Sequence, residues 1–298
     1  MLIDVTFHST VDNIIIQECI LNVSRKLWPN DLKYSKLKLI VTDRAKYMMK
    51  AVSEIKKNSL IFSNVHHVTC LAHALHNVAF RIQNEYKLTN SLILEMNKFF
   101  VKSRERENDF KNATGVSNLP PEPIITRWGF QLNAAKYYVD NFDTVERFTL
   151  NYKQKSHSNA RNVLVKLLQE KKVNLNKELF DLCNLVKLSN IISSLEEQGL
   201  GVAEQAKLLE NAKEIVSGYP IFSQKLEKVL SSNTDLIKFM SFDMNLSDKL
   251  NSEYAPLVAF DVEHSFSLYS SILSDRRHSL SEDHLKYLSV IRFNSFLK

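Results

Sequence analysis

Two short β-prone runs, each followed at once by a helical pattern, constrain this chain more than anything else in it. Leu37 to Thr42 leads into Asp43, and an amphipathic stretch, Arg44 to Lys57, follows. Val65 to Thr69 leads into Cys70-Leu71-Ala72-His73, which opens a second stretch, Leu71 to Tyr86. In that stretch Leu71, Leu75, Val78 and Ile82 share one helical face, and His73 and His76 lie on another. Strand–helix alternation of this kind points to a partly parallel sheet with helical crossovers. Such folds gather their chemistry at the C-terminal ends of the strands, where Asp43 and Cys70 fall. The plainer role for Asp43 is the N-cap of the helix after it.

An alternating run over residues 2–7 predicts a further strand, ahead of a helix from Val11 to Leu27 with Ile15, Cys19, Val23 and Leu27 in line. From about residue 88 onward the pattern is helical. Residues 88–110 end in a charged segment. A rigid Pro120-Pro121-Glu122-Pro123 stretch precedes a helix over Phe130 to Phe142, and several amphipathic helices fill 143–245. Two more are expected near 261–273 and 281–297, with Ser279 and Glu282 at capping-box spacing. Only five glycines and six prolines in 298 residues agree with long helices and few tight turns. The expected organisation is an N-terminal α/β part over 1–142, a helical insertion over 143–245, and C-terminal helices over 246–298.

Several function classes fall away. No apolar run reaches transmembrane length, so no membrane partner is expected. Three scattered cysteines, Cys19, Cys70 and Cys183, make no disulfide framework and favour an intracellular setting, nuclear or cytoplasmic. A net charge of +6 suits a polyanionic partner such as DNA. Basic residues Lys98, Lys102, Arg104 and Arg106 are candidates to line a phosphate path. Cys70 and His73 supply two of the four ligands a structural zinc needs. His66, His67 and His76 lie nearby, but no second paired motif follows, and zinc is not expected.

Four blocks together resemble hAT-superfamily transposases and the host proteins derived from them. They are Val41-Thr42-Asp43-Arg44-Ala45-Lys46-Tyr47, His67-Val68-Thr69-Cys70-Leu71-Ala72-His73, Pro123-Ile124-Ile125-Thr126-Arg127-Trp128, and Asp261-Val262-Glu263-His264-Ser265-Phe266-Ser267 with Asp275-Arg276-Arg277 beyond it. The resemblance implies a helix-rich α/β chain, with an RNase H-like core (a mixed sheet with flanking helices) interrupted by an all-α insertion. It assigns Asp43 and Glu263 to two of three acidic positions that hold paired Mg²⁺ or Mn²⁺ ions, hard cations suited to carboxylates. His264 stands where the family pattern has arginine.

The same resemblance places Cys70 and His73 in a motif near the active site. It makes Arg127 and Trp128 nucleic-acid contacts, with the indole able to stack on a base, and assigns Arg276 and Arg277 to the phosphate path. The first acid has no counterpart, because residues 2–7 correspond to the third strand of such a core, and Asp4 falls on the wrong strand to replace it. The expectation is therefore a catalytically incomplete remnant with residual nucleic-acid binding or self-association through the C-terminal helices. A metal-dependent nuclease and a protein-interaction module without a DNA role are the competing readings. Missing strands also predict an exposed sheet edge, and with it marginal stability or oligomerisation.

Overall fold

A computed structural model describes residues 3–29, 36–58, 62, 64–101, 103–116, 118–122, 128–152, 158–197, 199–240, 253, 255–259, 269, 271–273 and 280–295. It is a helix-rich α/β structure with one small parallel sheet among the described residues. The chain divides into two compact units. The first comprises Met1–His73, Glu196–Gln205 and Leu230–Lys298, and the second Ala74–Leu195 and Ala206–Val229. By this division the helical unit begins at Ala74.

In the first unit, α1 (Asn13–Leu27) starts at Asp12, whose carboxylate accepts the N–H groups of Ile14 and Ile15. Strand β1 (Leu39–Thr42) pairs in parallel with β2 (His66–Thr69), Leu39 opposite His66 and Thr42 opposite Thr69. Helix α2 (Lys46–Asn58) makes the crossover, and α3 (Leu71–Glu85) follows β2, its start in this unit and Ala74–Glu85 in the second. Ile55, Phe62 and Val65 form a buried cluster, with Ile20, Leu21, Leu37 and Ile40 packed on it. Later in the chain come α12 (Thr234–Met240) and the last helix, α13 (Glu282–Ser295).

The strand expected over residues 2–7 is not formed by the described residues 3–7. Residues 3–7 join no ladder, and the Val5 N–H turns to the Asp4 carboxylate at 3.0 Å. The segment is held by its side chains instead. Phe7 packs on Tyr269, with ring centroids 5.4 Å apart. Asp4, 4% exposed, receives Lys26 at 2.6 Å and Lys286 at 2.8 Å. Alternation alone does not make a strand when no neighbour offers hydrogen bonds. The assignment of this segment to a third strand is corrected accordingly.

The second unit is helical throughout its described residues. Its elements are α4 (Lys87–Phe100), α5 (Arg104–Thr114), α6 (Trp128–Asn151), α7 (Asn159–Glu170), α8 (Lys172–Leu185), α9 (Lys187–Leu195), α10 (Val202–Ser217) and α11 (Pro220–Ser231), the last two shared at their ends with the first unit. Helix α4 packs against α7 and α8, and α6 against α8 and α9. Leu92, Ile93, Met96, Tyr138 and Leu164 fill the core. Phe99, Phe100, Phe110, Phe148 and Tyr152 form an aromatic cluster of mostly edge-on contacts.

Within α6 two helical stretches meet at a kink at Asn141, one residue from Phe142, where the sequence pattern ended the helix. Asn141 departs from helical geometry there (φ −125°), and its side chain donates back to the Tyr137 carbonyl at 2.9 Å. No helix among the described residues is long and apolar enough to cross a membrane.

Candidate functional site at the ends of β1 and β2

The parallel register brings Asp43 and Cys70 out of the same end of the sheet. The Cys70 N–H donates to the Thr42 carbonyl at 2.8 Å, carrying the ladder one residue past β2. Asp43 is half-buried. One of its oxygens accepts the Ala45 N–H at 3.0 Å, a turn-forming bond that sets the entry to α2. Helix α2 starts only at Lys46, so Asp43 forms this turn ahead of the helix and is not the N-cap expected for it, and its second carboxylate oxygen is left for another task.

Beside it lies a polar network. The Thr42 hydroxyl donates to the Asp43 carbonyl at 2.7 Å and lies 2.9 Å from His67 Nε2. With its proton committed, the hydroxyl accepts from an Nε2–H, which fixes the His67 tautomer. The His67 backbone N–H donates to Asp235 at 2.8 Å, and Lys56 reaches the same carboxylate oxygen at 3.3 Å. Burial lowers the His67 pKa from the ordinary histidine value, and the Lys56 charge acts in the same direction against Asp235. Burial pushes the Asp235 carboxyl up, but the His67 N–H and Lys56 outweigh it and hold it below the usual carboxylate value.

Asn233, 4% exposed, joins β2 to α12. Its amide donates to the Thr69 carbonyl at 3.0 Å and hydroxyl at 2.6 Å, and its oxygen accepts the Leu236 N–H at 3.2 Å. Cys70, 2% exposed, accepts the Ala259 N–H on its sulfur at 3.3 Å, and the Leu71 N–H donates to the Leu257 carbonyl at 2.9 Å. The thiol therefore helps fix the start of α3. His73 is half-buried one turn further on.

Trp128 opens α6, with only its backbone described. Glu263, Arg127, Arg276 and Arg277 lie outside the described residues. Among the described residues no three His, Cys, Asp or Glu side chains group to hold a metal ion. Of the carboxylates expected to hold metal, Asp43 alone is described, with one oxygen engaged, and by itself it does not fit a two-metal centre. Sequence reasoning missed Thr42, Asn233 and Asp235. The signal for the last two was Asn233-Thr234-Asp235, cap-forming residues directly ahead of an apolar helical run.

Charge is divided unevenly. The first unit carries 17 Lys and Arg against 18 Asp and Glu, and the second 22 against 15, so the positive excess of the chain belongs to the helical unit. There Lys111, Lys136, Lys171, Lys177 and Lys187 are exposed and make no ion pair with a described residue. No protein-family model matches the chain, and no curated protein matches it.

Proposed function

We propose that this chain is a transposase-derived protein of the hAT type, with an incomplete RNase H-like core, whose helical unit binds nucleic acid without cutting it. The observation that carries the binding reading is the division of charge. The unit with the β1–β2 sheet is close to neutral, and the helical unit holds the whole positive excess. Exposed lysines without acidic partners are free to replace condensed counterions along a phosphate backbone, and releasing those ions supplies the affinity. The family part is supported by the four sequence blocks and by Asp43 leaving the C-terminal end of a parallel strand beside Cys70.

Phosphodiester hydrolysis is the second reading, and the position of Asp43 favours it.

The test pairs two assays on the full chain. Binding to duplex and single-stranded DNA across a salt series should weaken linearly in log–log form, with a slope of about −0.7 to −0.9 per phosphate neutralised. Supercoiled DNA with Mn²⁺ should stay uncut above a buffer control. Nicking that Asp43→Asn abolishes would establish the nuclease reading. Absent or salt-insensitive DNA binding would leave a protein-interaction module.

A further inference from the structure

A second feature of the helical unit lies on α5 and the C-terminal turn of α6. Between them opens a cavity of about 610 Å³, within the range of small-molecule sites. Its lining includes Asp109 and Asn112 from α5, and Arg147, Phe148 and Asn151 from α6, with Tyr152 directly after. The half-buried Tyr152 ring lines the cavity, tilted against the buried Phe148 ring with centroids 5.2 Å apart, and Phe99, Phe100 and Phe110 back the pair. The core packing holds the Tyr152 ring in place.

The polar groups are arranged with capacity to spare. The Tyr152 hydroxyl donates to one Asp109 oxygen at 3.2 Å and leaves the other as an acceptor. Burial raises the tyrosine pKa and the bond to Asp109 raises it further, so the phenol keeps its proton and the bond at neutral pH. The Asn151 amide donates to the Arg147 carbonyl at 2.9 Å and leaves its oxygen open. The Asn112 carboxamide and the Arg147 guanidinium engage no described residue. Both are exposed at the rim.

We propose that this cavity binds one nucleotide, its base against the Tyr152 ring and its phosphate on Arg147. Three requirements of that ligand meet here. A base needs an aromatic face to stack on. Its edge needs a carboxamide that both donates and accepts, with further acceptors for an exocyclic amine; Asn112, Asp109 and Asn151 supply these. A phosphate needs a guanidinium with no competing carboxylate bonded to it, and Arg147 is such a group. The cavity is separate from the Asp43 sheet end. Binding of a nucleotide within a strand rests on the nucleic-acid reading above; binding of a free nucleotide does not.

The experiment measures equilibrium binding of adenosine monophosphate, and of a single-stranded oligonucleotide of about twelve nucleotides, to the full chain and to Arg147→Ala and Asn112→Ala. Both positions are exposed on helix surfaces, and matching thermal transitions would show that the variants fold. The expected result is binding of at least one probe, weakened about tenfold or more by each substitution. Both probes bound with both variants affected gives a site used along a strand. The mononucleotide alone gives a free-nucleotide site and overturns strand binding. An oligonucleotide bound equally well by wild type and variants overturns the cavity and leaves the nucleic-acid reading standing. No binding of either probe overturns the cavity proposal, and with it strand binding by the helical unit.

Discussion

Asn233 does more than its position in a surface-type sequence announces. Its one side chain satisfies the Thr69 carbonyl and hydroxyl and caps α12, all out of water. Asn233→Ala removes the cap and leaves two buried acceptors without a donor, so a loss of about 2–4 kcal/mol is expected, read from urea unfolding. An unchanged midpoint would mean that water takes over these roles. Glu178 is the comparable residue in the helical unit. Tyr86 at the start of α4 offers no side-chain cap, and the Glu178 carboxylate from α8 accepts the Leu88 and Thr89 N–H groups at 3.3 and 2.8 Å. Glu178→Ala should cost about 1–2 kcal/mol, since it strips both the cap and a favourable charge at a helix N-terminus. Glu178→Gln should recover part of it. The cap at Asn233 has a local signal in Asn233-Thr234-Asp235, but its bonds to Thr69 and the reach of Glu178 to α4 were not legible, because those groups lie far along the chain.

At the scale of elements, the strands and most helices were legible because their signals are local. Periodicity set α1, α2 and α3 to within a few residues, and the apolar runs gave β1 and β2. One element was misread. Residues 3–7 have strand character but no strand partner among the described residues, whereas the kink at Asn141 falls where the periodicity ended the helix. Tertiary partners decide whether a β-prone run pairs. The cap of the last helix also shifted. Ser281 accepts the His284 N–H at 3.4 Å, whereas Ser279 lies outside the described residues. Of the candidate site, Asp43 and Cys70 were legible as strand-end residues. Their neighbours Thr42, His67 and Asp235 gain meaning only when register and α12 bring them together.

The sheet-bearing unit has a built-in response to acid. His67 titrates below its ordinary 6.5 in the fold, so its contribution to stability is present above that value and lost as pH falls below it. Asp235 and Asp4 titrate below 3.8. In Asp4 burial acts upward but Lys26 and Lys286 prevail. Their contributions are present above 3.8 and lost as pH falls through their folded values. Stability should therefore decline in two stages on acidification, the first flattened by His67→Gln and the second by Asp4→Asn. Denaturant midpoints measured from pH 8 to pH 3 test this, and one step or none would contradict it.

For the molecule as a whole, the central claim is that nucleic acid is held by the helical unit. Its most direct test compares DNA affinity in two triple variants. One neutralises Lys171, Lys177 and Lys187, exposed in the helical unit; the other neutralises Lys46, Lys57 and Arg292, exposed in the sheet-bearing unit. Both remove the same charge. The account predicts that the first weakens binding and flattens its salt dependence while the second leaves both near wild type. Equal losses, or a larger loss in the second variant, would contradict it.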